Sequence, residues 1–87
     1  MKLSSNQELY DYLHRLIVDL KKVGANKLAD AVSFAADQAS GMSAEFLGES
    51  RIALQQVLNQ ENGALTQDER SDLHSVVEQL NEALDRR

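Results

Sequence analysis

The sequence predicts an all-α protein, either a compact antiparallel four-helix bundle or a four-helix globule. Apolar residues recur at helical spacing in four stretches, at about 6–23, 27–40, 44–60 and 67–85. Single glycines separate the stretches, at Gly24, Gly41 and Gly63. No alternating run of β-branched residues competes with this pattern. Because the connections are short, the helices are expected to pack as antiparallel neighbours.

The first stretch begins with a capping box. Ser5 is expected to accept a hydrogen bond from the backbone of Glu8, whose carboxylate reaches back. At spacings of four and three, the apolar stripe consists of Leu9, Leu13, Leu16, Leu20 and Val23. Val18 points away from this stripe at about 100° per residue. Gly24 is expected to end the helix in a left-handed conformation.

The second stretch is rich in alanine. Asn26 is its expected N-cap. Its apolar stripe consists of Leu28, Ala31, Val32, Ala35 and Ala39. Small side chains let two helix backbones approach closely, so this helix is expected to be the inner, tightly packed one.

The third stretch contains a glycine that the helical pattern does not explain. Ser43 is the expected N-cap, and the stripe consists of Phe46, Leu47, Leu54, Val57 and Leu58. Gly48 lies inside the pattern at a cost of about 1 kcal/mol relative to alanine. This cost indicates either a close backbone contact at Gly48 or a helix that begins after it.

The fourth stretch opens on a second capping box. Thr66 and Glu69 form the box, and Leu65 occupies the hydrophobic-staple position before it. The stripe that follows consists of Leu73, Val76, Val77, Leu80, Ala83 and Leu84. Arg86 and Arg87 suit the C-terminal turn of this helix, where they complement its dipole.

Length and composition predict a single domain over residues 1–87. The absence of cysteine excludes disulfides and thiolate metal sites. The N-terminus has no apolar core of a signal peptide, and the longest apolar run is Leu16-Ile17-Val18. We therefore expect a cytoplasmic protein with no membrane partner.

Charge is distributed unevenly along the chain. Residues 28–85 carry eleven acidic residues against only Arg51 and Arg70, within an overall charge of −5. A helix-turn-helix around Gly41 would present Glu45 and Glu49 to the phosphates, which is the wrong charge for a polyanion. Nucleic acid is therefore not an expected partner, and a basic protein is favoured.

No motif of catalytic or cofactor chemistry is present. His14 lies beside the tyrosines of the first stretch, and His74 with Glu78 is the one ligand-like pair at helical spacing. No nucleophile elbow or phosphate-binding glycine loop occurs. We expect no enzyme activity, no cofactor and no metal.

Two large apolar residues lie off the core stripes. Phe34 and Ile52 are surrounded in the sequence by a set of acidic residues and a glycine: Asp30, Asp37, Glu45, Gly48 and Glu49. One interpretation is that Phe34 closes the end of the core. The other is a protein-binding patch made of all seven residues, since an apolar anchor with a charged rim is typical of such sites.

Two classes of function follow from these observations. The first is a small acidic inhibitor or adaptor that binds a basic protein. In size, number of helices and acidity the chain resembles bacterial immunity and antitoxin-like proteins, which neutralise a cognate toxin. No family motif is matched, so this resemblance assigns no functional residue. The alternative is a self-associating structural module, most simply a homodimer that buries Phe34 or Ile52.

Overall fold

The computed structural model describes residues 2–85, which form four α-helices and one short 3₁₀ turn. The helices are α1 (Asn6–Lys22), α2 (Asn26–Ala36), α3 (Ser43–Gln60) and α4 (Gln67–Asp85). The all-α four-helix prediction is confirmed. The end of the second stretch is corrected, because Asp37–Ser40 is a 3₁₀ turn and not the last turn of α2. Arg86 and Arg87, expected at the C-terminal turn of α4, lie outside the described residues.

Contacts between helix ends show that the helices alternate in direction. The Asn6 amide donates to the Ser43 hydroxyl over 2.9 Å, which brings the N-termini of α1 and α3 together. Gln79, near the C-terminus of α4, accepts from the Leu3 backbone N–H over 2.7 Å. Ser40, after α2, lines a cleft together with Asn6 at the same end. α1 and α3 therefore run in one direction, and α2 and α4 in the other.

The core is formed by one apolar face of each helix and is closed by Leu65. α2 packs against both α1 and α3, as expected of the inner helix, and buries Leu28, Ala29, Val32, Ala35 and Ala36. Val23 was expected at the end of the α1 stripe but is exposed, because it is the C-cap where the chain leaves the helix. Ser50 is fully buried in this core, and its hydroxyl has no hydrogen-bond partner among residues 2–85.

Both predicted capping boxes are present, one of them in altered form. Thr66 accepts from the Glu69 N–H over 3.1 Å, and Glu69 accepts from the Thr66 N–H over 2.8 Å. Ser5 accepts from the Glu8 N–H over 3.2 Å, as expected. The Glu8 carboxylate, however, reaches the N–H and hydroxyl of Ser4, one residue earlier than the capping box requires. These bonds lower the pKa of Glu8.

Asn26 and Ser43 are not the N-caps that the sequence predicts. Each is instead the first residue of its helix, after Ala25 and Met42, and neither of those preceding residues makes a side-chain cap. At α3 the Met42 carbonyl accepts the first helical bond, from the Phe46 N–H over 3.0 Å, so Ser43 lies inside the helix and its hydroxyl accepts from Asn6.

The connection between α1 and α2 is a Schellman motif. Gly24 has a left-handed φ of 80°, as predicted. Its N–H donates to the Lys21 carbonyl over 3.1 Å, and the Ala25 N–H donates to the Leu20 carbonyl over 2.9 Å. Ala25 donates the second of these bonds, and its carbonyl accepts the first bond of α2, from the Ala29 N–H. Asn26 is therefore already inside α2 and cannot be its N-cap.

A buried carboxylate organises the connection between α3 and α4. Glu61, with a side chain only 6% exposed, accepts from the Leu65 N–H over 2.8 Å and from Arg70 over 2.6 Å. The Leu65 N–H is the largest cause that lowers the pKa of Glu61, and Arg70 adds to it against the opposing effect of burial. This carboxylate therefore ties the loop to the first turn of α4.

We expect Glu61→Gln to lower the free energy of unfolding by about 2 kcal/mol at pH 7, because a charged hydrogen-bond partner of Arg70 is lost. A carboxyl whose pKa is lowered by folding stabilises the protein above its ordinary pKa of 4.5 and loses that contribution as the pH falls. Urea denaturation at pH 7 and pH 3 measures both effects. The difference between wild type and variant should shrink at pH 3, and a difference independent of pH would contradict the role. Exposed Glu78→Gln is the control.

Candidate protein-binding surface

The structure decides between the two interpretations of Phe34. Its side chain is 56% exposed, and that of Ile52 is 55% exposed, so neither closes the core. Helix geometry explains why. Phe34 lies two residues, about 200°, beyond fully buried Val32, and Ile52 lies at the same offset from fully buried Ser50. The prediction that both residues lie off the core stripes is confirmed.

Acidic residues flank both apolar side chains along their helices. Asp30 and Asp37 lie four residues before and three residues after Phe34, and both are exposed. Glu45 and Glu49 precede Ile52 by seven and three residues; Glu45 is exposed and Glu49 is half-buried. We call these six residues the acidic surface.

The outer faces of α2 and α3 lie side by side in this surface. Arg51 donates to Asn81 of α4 over 3.4 Å, which shows that the Arg51 flank of α3 faces α4. Glu49 is two residues, about 200° around the helix, from Arg51 and therefore lies on the flank toward α2. Since α2 and α3 pack on each other, Phe34 and Ile52 stand on the outer faces of two neighbouring helices.

Met42 is an exposed apolar residue that the sequence analysis did not single out. Its side chain is 69% exposed, more than that of Phe34. It stands between the 3₁₀ turn and α3, and in the chain it lies between Asp37 and Glu45 of the acidic surface. A large apolar residue between Gly41 and Ser43, in a loop, is the pattern that could have identified it.

Gly48 fits neither explanation given for it from the sequence. α3 is continuous from Ser43 to Gln60, so the helix does not begin after the glycine. A Cβ atom at this position would meet nothing within 4 Å outside the helix itself, so no close backbone contact requires glycine. Gly48 instead leaves an open notch one turn before Ile52 on the outer face of α3.

A cleft of about 440 Å³ opens between α1 and the end of α2. We call it the α1/α2 cleft; it is lined by Asn6, Gln7, Tyr10, Ala36, Asp37, Ala39 and Ser40. Tyr10 is half-buried and packs on His14 with ring centroids 4.4 Å apart. Asp37 belongs to both the cleft and the acidic surface. The sequence does not reveal this cleft, because its two walls are about thirty residues apart in the chain.

A pair of carboxyl groups joins α1 to α4 on another side of the molecule. Asp19 shares a hydrogen bond with Glu69, which raises the pKa of Asp19. The Thr66 N–H is the main cause that lowers the pKa of Glu69, and the bond with Asp19 adds to it. A groove of about 200 Å³ runs beside the pair, and the phenol of Tyr12 in its wall has a pKa raised by burial.

Basic residues lie around Val18 on the outer face of α1. Arg15, Lys21 and Lys22 are exposed there, and the predicted exposure of Val18 is confirmed. The positive charges of Arg15 and Lys22 also act on the carboxyl of Asp19 and favour its ionised form. Glu8 and Asp11 are exposed on the same helix, so α1 presents charges of both signs.

Comparisons with protein-family models, with curated proteins and with solved structures find no match to this chain. Among residues 2–85, no three histidine, aspartate or glutamate side chains are grouped so that they could hold a metal ion. None of the helices described is both long enough and apolar enough to cross a bilayer.

The two phenylalanines of the chain provide a matched test of exposure. Phe46 is fully buried, so Phe46→Ala should lower the free energy of unfolding by about 3–5 kcal/mol. Phe34→Ala should change it by no more than about 0.5 kcal/mol. Chemical denaturation of both variants measures the contrast, and comparable losses would place Phe34 in the core.

We expect Gly48→Ala to raise the free energy of unfolding by about 1 kcal/mol, because alanine restricts the unfolded chain and meets no obstacle in the helix. Thermal and urea denaturation measure this change. Gly24→Ala is the contrasting variant, since its left-handed φ of 80° makes alanine strained there. A loss of stability in Gly48→Ala would reveal a contact at this position.

Proposed function

We propose that this chain is a non-enzymatic protein-binding protein that docks its acidic surface on a basic surface of another protein, as an inhibitor or adaptor. One observation carries the proposal. Phe34 and Ile52 stand more than half exposed on adjacent outer faces, within a rim of four carboxylates. Isolated exposed apolar residues are common, but two of them on neighbouring helices with a charged rim form the anatomy of an interface.

The energetics of such a surface favour a partner with both apolar and basic groups. Full burial of a phenylalanine side chain is worth about 1.5–3 kcal/mol, so Phe34 can act as an anchor. The carboxylates around it would steer a basic partner and raise the association rate. Charges this exposed are screened over about 8 Å at physiological salt, so the steering should weaken as salt is added.

The charge of the rim also bears on the choice between a partner protein and a symmetric homodimer. In a twofold contact over Phe34 or Ile52, the same carboxylates of two copies would face each other. Like charges opposed in this way disfavour the contact, whereas a basic partner neutralises them. An inhibitor of the immunity or antitoxin type, which the chain resembles in outline, has the required chemistry.

The test is affinity capture from an extract of the cells that encode the protein. Wild-type protein should retain a protein with a basic surface, and Phe34→Ser should lose it. Val18→Ser is the matched control, because Val18 is also exposed and apolar but lies on α1, outside the acidic surface. The captured protein is then purified, and its affinity for each variant is measured.

With the purified partner, Phe34→Ser should weaken binding by at least about tenfold. Glu49→Lys should slow association at low salt, and the difference should diminish at high salt. A partner that is acidic, or one that binds Phe34→Ser and wild type equally, would refute the proposal.

A further inference from the structure

We propose that the α1/α2 cleft is a subsite for a basic side chain, an arginine in particular, that the partner inserts beside its contact with Phe34. The inference rests on the proposed function, because it names the group that the partner would present. Apart from Asp37, it concerns residues outside the acidic surface, since the cleft is formed by the first turns of α1 and by the end of α2 with the 3₁₀ turn.

The charge of the cleft comes from the carboxylate of Asp37, which is exposed. The Asp37 backbone N–H bonds within the end of α2, whereas its carboxylate makes no hydrogen bond or ion pair among residues 2–85. It stands at the mouth of a space of about 440 Å³, within the range of volumes that accept small ligand groups. Small side chains at Ala36 and Ala39 leave this space open.

The neutral polar groups of the cleft can accept hydrogen bonds as well as donate them. The Asn6 amide nitrogen donates to Ser43 over 2.9 Å, and the Gln7 amide nitrogen donates to Asp11 over 3.0 Å. Each amide keeps its carbonyl oxygen as an acceptor for a ligand. The ionised carboxylate of Asp37 accepts only, so it favours a donor-rich cation, and a guanidinium has five donors and no acceptor.

The aromatic ring of Tyr10 favours arginine over lysine. A guanidinium is planar and stacks on aromatic rings, whereas an ammonium is a compact and strongly hydrated charge. The Tyr10 ring lines the cleft on the α1 side and is held by its contact with His14. A guanidinium in the cleft could therefore contact this ring and the Asp37 carboxylate together.

The position of the cleft suits a partner that also covers Phe34. Asp37 follows Phe34 by three residues, which is a rise of about 4.5 Å along a helix. An arginine side chain is long enough to cross this distance from a residue that packs near Phe34. The cleft would then supply the charged half of a contact whose apolar half is Phe34.

The test is a ¹H–¹⁵N NMR titration of the full chain with N-acetyl-argininamide. The neutral isostere N-acetyl-citrullinamide is the matched ligand. The arginine compound should give saturable shifts at the amides of Tyr10, Asp37, Ala39 and Ser40, and the citrulline compound should give none. Asp37→Asn should weaken the binding by about fivefold. Asp30→Asn is the control, because Asp30 is exposed on α2 in the same acidic surface but does not line the cleft.

Equal shifts with both ligands would overturn the inference, as would shifts spread evenly over all the acidic residues of the surface. The same holds if Asp30→Asn weakens binding as much as Asp37→Asn does. The proposed function is tested separately by Phe34→Ser. A partner lost on Phe34→Ser, combined with no arginine site in the cleft, would refute only the cleft.

Discussion

α2 has eleven residues in which to bury a face against two neighbours, α1 and α3. It does so with small side chains, so that Ala29, Ala35 and Ala36 pack where larger residues would hold the helices apart. This close packing fixes which side of α2 faces inward. Phe34, about 200° from Val32, then has no route to the core. The exposed aromatic anchor is thus a consequence of how α2 packs.

Sequence periodicity gives most of the fold, because the burial of a helix face depends on spacing that can be counted along the chain. The leucine stripe of α1 and the Thr66–Glu69 capping box follow from such local patterns. The errors concern the N-caps, because the start of a helix also depends on the preceding turn and on contacts with distant residues. Ser43 bonds Asn6 across the fold instead of capping α3, and the Schellman bonds through Ala25 displace the expected cap at Asn26.

The candidate site likewise has one part that the sequence predicts and one part that it does not. The exposure of Phe34 and Ile52 follows from their angle on a helix, and it is visible in the sequence. The α1/α2 cleft is not, because it exists only once Tyr10 and Asp37 are brought together by the packing of α1 on α2. The Asp19–Glu69 carboxyl pair depends likewise on two helix ends that meet in space. For Gly48 the sequence shows that glycine lowers helix stability at this position. Only the structure shows that no neighbouring group would contact a Cβ there, so close packing does not explain the glycine.

The order of the helices has a consequence for how the chain reaches this structure. Each helix packs closely on the one that follows it, from α1 to α2, to α3 and to α4. Such a topology has low contact order, since most pairs of touching residues are close in the sequence, and proteins of this kind fold in microseconds to milliseconds. The contacts of α1 with α3 and with α4, such as Asn6–Ser43 and Asp19–Glu69, are the ones that require the closure of a long loop.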